Sequence, residues 1–104
     1  MTLELVMDES LAKVVEFLLE NPVMDYSKTD LANETGVSRS TLYRKWDVLE
    51  ELSVLKKSRK YQNTQLHKLD TESPIVNELG RLKSKIEDRV EIVGEKELKE
   101  APTA

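Results

Sequence analysis

The sequence predicts a mainly α-helical fold that carries one small β-hairpin and ends in a long helix. Three observations predict it. Apolar residues recur at helical spacing in the first half of the chain, and Gly36 leaves only three or four residues between the second and third helical stretches. The alternating, basic segment VLKKSRKYQNTQLHKLD then gives way to Ser73-Pro74 and a narrow apolar stripe.

Taken in order, Leu11, Val14, Val15, Leu18 and Leu19 define a first helix from Ser10 to Asn21, where Asn21 and Pro22 supply a stop. The preceding Leu3, Leu5 and Met7 alternate like a strand, but so short a run does not separate a strand from a frayed helix start. Ser27 caps a second helix with Asp30 three residues on, in a variant of the capping box, and Leu31 and Ala32 form its buried side. Gly36 ends it, because glycine takes the left-handed backbone conformation without a Cβ clash. Ser38 caps a third helix from about Arg39 to Leu52. Its Leu42, Trp46 and Leu49 form one stripe, with Ser40, Arg44, Asp47 and Glu51 on the other side. Val54 to Ser58 and Thr64 to Leu69 pair as strands around a polar tip, Arg59 to Asn63.

Ser73 and Pro74 then fit the cap and first position of a fourth helix, since proline lacks only an N–H that the first turn leaves unpaired. Ile75, Leu79, Leu82, Ile86 and Val93 follow an alternating four-three register if Arg89 takes one slot, with Val90 beside it. That is the pattern of a coiled-coil seam; the stripe either packs back onto its own domain or, as its narrowness favours, makes a dimer interface of Ile75, Leu79, Leu82, Ile86, Arg89, Val90 and Val93. Gly94 is expected to close the helix, and the polar residues 95–104 to form a disordered tail.

Charge narrows the function. Across 104 residues the net charge is −4, which taken alone argues against a nucleic-acid partner. The average conceals a segregation: residues 26–69 carry nine bases against five acids, between flanks with one base against six acids and six against nine. With no cysteine there is no disulfide framework, thiolate metal site or cysteine nucleophile. His67 is the only histidine and is expected to be a half-buried structural residue, with neither metal nor cofactor implied. No acid–base pair with a nucleophile and no phosphate-cradling glycine loop is legible, so the chain is not expected to be an enzyme. No apolar run suits a membrane span, and the N-terminus TLELVMDES lacks the pattern of a signal peptide; a cytoplasmic protein is expected.

The order helix, helix, glycine turn, helix, basic hairpin, long helix is the layout of a winged helix-turn-helix. The stretch LANETGVSRSTLYRKWDVLEELSVLKK also resembles that family directly, in particular the MarR-like and ArsR-like transcription regulators. Ala32 sits where the family has a small residue at the helix crossing, Gly36 opens the turn, and Val37 is the apolar residue after it. Ser53 departs from the glycine common after the third helix. The resemblance covers roughly residues 10–70 and, with the stripe that follows it, leads to the expectation of a DNA-binding domain over residues 8–70 and a dimerisation helix over 73–93.

In that motif the start of the third helix enters the major groove, which assigns DNA contact to Ser38, Arg39, Ser40, Thr41, Tyr43, Arg44 and Lys45. Arginine pairs two-pronged with guanine, and hydroxyls bond phosphate or base edges. Asp47 and Glu51 repel phosphate, so the contact is expected to end by about Lys45. Tyr43 either meets DNA or packs against the first helix, whereas Trp46 belongs to the core. By analogy with the family, Arg59, Lys60, Tyr61, Gln62 and Asn63 form the wing tip, Lys57 approaches phosphate beside it, and Lys28 and Thr29 clamp phosphate from the second helix. The resulting expectation is a sequence-specific, double-stranded DNA-binding transcription regulator acting as a homodimer. Its alternatives are a protein-interaction module of a transcription or replication assembly, and a plasmid or viral replication or partition protein.

Overall fold

A computed structural model describes the backbone of residues 8–99 and the side chains of residues 8–91. Leu3, Leu5, Met7, the side chain of Val93 and residues 100–104 lie outside the described residues. Helix α1 spans Glu9–Glu20, α2 Lys28–Thr35 and α3 Arg39–Glu51; strands β1 (Leu55–Tyr61) and β2 (Thr64–Leu69) follow, and α4 runs Pro74–Lys99.

Each helix starts where a short side chain takes up free N–H groups of the first turn. Asp8 accepts from the Leu11 amide at 2.9 Å. At α2 the box is complete: the Ser27 hydroxyl accepts from the Asp30 amide at 3.0 Å, and the Asp30 carboxylate from the Ser27 amide at 3.1 Å. Ser38 accepts from the Thr41 amide at 3.2 Å, and buried Ser73 from the Val76 amide at 3.4 Å. Between α2 and α3, Gly36 has φ +78° and donates to the Ala32 carbonyl at 2.9 Å. A Cβ there would meet nothing within 4 Å, so glycine is required by the backbone conformation and not by lack of room. Ser53, after α3, also takes a positive φ, +53°. It therefore adopts without glycine the left-handed turn for which the family uses glycine, at a cost of about 1 kcal/mol.

The apolar stripes of α1, α2 and α3 meet in a three-helix core. Leu11, Val14, Val15 and Leu18 pack with Leu31, Ala32, Leu42, Trp46 and Leu49, and Val37, Val54, Leu55 and Leu69 close it from the turn and the root of the hairpin. Val76 is the buried residue by which α4 is fastened to this core. Ile75, Leu82, Ile86 and Val90 stay exposed, with Leu79 half-buried, so most of the narrow stripe faces away from the domain.

Two expectations need correction. The helix does not close at Gly94; it continues to Lys99, so residues 95–99 are helical. Interior glycine costs a helix about 1 kcal/mol, which the following good helix formers Glu95 to Lys99 tolerate, and the next proline comes only at residue 102. Strand β1 also runs further than Ser58, through Arg59 and Lys60 to Tyr61. The tip shrinks to Gln62 and Asn63, whose φ values of +49° and +68° give the mirror-image two-residue turn that suits the right-handed twist of paired strands.

The antiparallel register runs from Leu55 opposite Leu69 to Tyr61 opposite Thr64, with a slip between Lys57 and Lys60 that marks a β-bulge. A third partner comes from the segment before α2. Tyr26 and His67 exchange backbone hydrogen bonds of 2.7 Å each way, which ties β2 to the α1–α2 connection.

Candidate nucleic-acid interface

Most of the cationic and hydroxyl side chains assigned to DNA contact stand on the open side of α3 and the hairpin. Arg39, Ser40, Tyr43 and Arg44 are exposed and Thr41 is half-buried at the start of α3. Ser38 is committed to its cap, and its hydroxyl also donates to the Thr41 hydroxyl at 2.8 Å. Tyr43 is 48 % exposed and its ring lies beside Lys28 and Arg39, not in the core against α1. Its oxygen accepts from the Arg39 guanidinium at 3.4 Å, and the Lys28 ammonium lies 5.3 Å from its ring centre. The Arg39 hydrogen bond, then the nearby positive charges of Arg39 and Lys28, hold the Tyr43 phenol below its ordinary value.

Lys28 links the two aromatic residues of the helix. Its ammonium sits 4.7 Å from the centre of the Trp46 ring as well as above Tyr43, a cation–π placement that holds a flexible side chain at the mouth of a groove. The groove encloses about 560 Å³ between the start of α2, the exposed flank of α3 and the hairpin. Lys28, Thr29, Tyr43, Lys57, Lys60 and Gln65 line it, so residues far apart in sequence converge there. Thr64 and Gln65 were not among the expected contacts, because their strand parity alone gave no sign of which face the groove occupies. Glu50 lines it too. The acids that bound the basic surface are therefore Asp47 and Glu51, exposed as expected, together with Glu50, which faces the hairpin.

Beneath the groove, His67 is buried edge-on against Trp46, with ring centres 4.8 Å apart. Its Nδ1 has no hydrogen-bond partner among the described residues, and burial, then the neighbouring Lys28, push its pKa down. A neutral imidazole fits this setting. The residue is more deeply buried than its strand position suggested, because the Tyr26 bridge covers it from the side opposite β1.

Two assigned residues are engaged by acids, Lys45 on a half-buried flank and Arg59 with its side chain still 69 % exposed. Lys45 is turned towards α1, where its ammonium pairs with Asp8, the cap of that helix. It follows Arg44 by one position, which carries it around the axis to the half-buried flank beside Trp46. Arg59 is on β1 and not at the tip, and its Nε donates to the Asp25 carboxylate at 2.9 Å. Tyr61, Gln62 and Asn63 are exposed at the hairpin end as expected, and Lys60 has no ion-pair partner among the described residues. Both acid partners, Asp8 and Asp25, were invisible to pattern reading because they lie more than thirty positions away in sequence.

Such an assembly of capped helices, glycine turn and basic hairpin defines a winged helix-turn-helix protein, and comparison with known proteins agrees. Residues 18–48, from the end of α1 through most of α3, match the family described as the helix-turn-helix domain of resolvase. Among solved structures, the chain is similar to NolR from Sinorhizobium fredii, with 19 % identity, 80 % of this chain and 78 % of that chain covered, and a TM-score of 0.60. It is similar also to a mutant of ZitR from Lactococcus lactis in apo form: 16 % identity, 91 % and 74 % covered, TM-score 0.64. The third is the homodimeric winged helix-turn-helix DNA-binding domain of Mb0332 from Mycobacterium bovis, described as a possible ArsR-family transcriptional regulator. It shows 18 % identity, 77 % and 73 % covered, and a TM-score of 0.54. At these identities the likeness is one of fold. No curated protein sequence matches the chain.

Proposed function

We propose that the protein is a sequence-specific double-stranded DNA-binding transcription regulator that acts as a homodimer in the cytoplasm, on the nucleoid. The observation that carries this reading is the convergence of Lys28, Thr29, Tyr43, Lys57 and Lys60 on one groove, with Arg39 against Tyr43 beside it, in a chain whose net charge is negative. Phosphate contact releases counterions locally, so a basic face suffices for affinity even in an acidic protein. The start of α3 inserts in the major groove, where Arg39 and Arg44 reach base edges, while Lys60, Tyr61, Gln62 and Asn63 follow the backbone or enter the minor groove. Lys28 and Thr29 hold phosphate at the start of α2, where free amides favour an anion.

The exposed stripe of α4 supports the dimer. Leu82, Ile86 and Val90 stand outside the domain core on a helix that projects beyond it, and a second copy of the same stripe would cover them. Among the described residues no helix is long and apolar enough to cross a membrane, so a bilayer offers no spanning role for this stripe. Two recognition helices related by a two-fold axis would read half-sites about one helical turn, roughly 34–36 Å, apart.

Selection of bound duplexes from a random DNA pool at fixed salt tests the reading. A palindromic consensus with a steep salt dependence is the expected outcome. A pool that shows no enrichment would overturn it and favour a winged helix that binds another protein.

A further inference from the structure

We propose that Asp25 is the positioning residue that sets the angle of the hairpin, and that Arg59 serves as its strut instead of touching DNA. This deepens the DNA-binding reading above and rests on it. Strand β1 is regularly paired at its root and at its tip, but its register slips between Lys57 and Lys60. A bulge bends and twists the strand that contains it, so the direction of everything beyond Lys57 depends on what holds Ser58 and Arg59.

Both side chains at the bend go to one carboxylate. The Ser58 hydroxyl donates to Asp25 at 2.9 Å, the Arg59 Nε donates to the same oxygen at 2.9 Å, and an Nη of Arg59 reaches the other oxygen at 3.4 Å. Asp25 is itself anchored. It adjoins Tyr26, whose backbone is clamped to His67 of β2 by the two 2.7 Å bonds, so the bend in β1 and the outer edge of β2 are tied to the same two residues.

The contrast with the surrounding bases is what separates a strut from a contact. Arg59 directs its Nε and one Nη at a carboxylate, whose charge repels a phosphate approaching the rest of this 69 % exposed side chain. Asp25 has a side chain only 18 % exposed, and the hydrogen bonds from Arg59 and Ser58 hold its carboxyl below the usual carboxylate range, so it stays ionised at neutral pH. Lys60, one residue past the bend, has no such partner among the described residues and lines the groove.

Charge alone and geometry alone predict opposite signs for removing Asp25. Losing an acid from a DNA-binding domain should tighten binding, whereas losing the strut should weaken it. The full chain and the variants Asp25→Ala, Arg59→Ala, the double variant and the charge swap Asp25→Arg with Arg59→Asp would be titrated with a labelled duplex enriched from the random pool, over a salt series. The expected result is a loss of roughly three- to fivefold in each single variant, the scale of one exposed ion pair with its hydrogen bonds. The double variant should lose no more than either single one, the swap should regain part of the loss, and the salt slope of Arg59→Ala should equal that of the parent. Unchanged or tighter binding by Asp25→Ala, or a slope reduced by about one phosphate in Arg59→Ala, would overturn the proposal.

If the parent chain enriches no duplex, the functional reading falls by itself, and the strut is decided by amide hydrogen exchange. Faster exchange at hairpin amides from Lys57 to Lys60 in Asp25→Ala, with α1 to α3 unaltered, is expected; unaltered exchange at those amides refutes it.

Discussion

The start of α3 and the middle of α4 are about equally open to solvent, yet they are built for different company. Tyr43 is 48 % exposed, Leu82 53 % and Ile86 51 %. Around Tyr43 stand Arg39 and Lys28, and around Leu82 and Ile86 stand an apolar groove of about 300 Å³ between α1 and α4 and the half-buried Leu79. Exposure by itself therefore says nothing about a partner; the chemistry of the neighbours does. One surface offers charge and hydroxyl groups to an anion, and the other offers methyl groups that only another apolar surface can cover.

The largest expected effect comes from giving the second surface the character of the first. Leu82→Glu combined with Ile86→Glu should convert the protein to a monomer in sedimentation velocity. Affinity for a palindromic duplex should fall by roughly a hundredfold or more, as the second half-site loses its high effective concentration. A dimer that survives both substitutions would break the comparison. Next in size, Arg44→Ala should cost about 1–3 kcal/mol of binding to the preferred sequence and less to others, measured by competition with scrambled duplexes. Lys60→Ala should weaken all duplexes alike by less than about 1 kcal/mol and lower the slope of log K against log salt by about 0.9, the signature of one phosphate.

The smallest effect tests what lies beneath the charged face. Because burial depresses the pKa of His67 below its ordinary 6.5, the unfolded chain binds a proton more readily than the folded one. The stability associated with neutral His67 is thus fully present above about pH 6.5 and declines as pH falls towards the folded value. Urea unfolding at several pH values should show this slope in the parent and a flatter one in His67→Gln.

Much of this arrangement can be read from local sequence, because caps, turns and stripes are short-range devices. Asp30 three positions after Ser27, glycine at 36, and Leu42, Trp46 and Leu49 on one face each act within a turn or two of helix. The features that escape pattern reading join distant segments or depend on small energy differences. Lys45 and Arg44 are adjacent and alike in charge, but the first finds Asp8 across the helix packing and the second does not. Arg59 meets Asp25 only because the Tyr26 bridge brings the α1–α2 connection beside the hairpin. The strand end was misplaced because Gln62 and Asn63 carry no glycine to announce a two-residue turn, and the end of α4 because one glycine lowers helix stability without interrupting it.

Strand β1 lies at the edge of a two-stranded sheet. It pairs with β2 on one side, and among the described residues nothing pairs with its other edge, which leaves a row of backbone donors and acceptors open. Such an edge invites a neighbouring molecule to add a strand and begin an aggregate. Lys56, Lys57, Arg59 and Lys60 fill four of the seven positions on this strand, and the bulge twists its middle away from a flat template. Two identical edges so charged repel each other, which opposes the joining of two copies of the chain through their sheets.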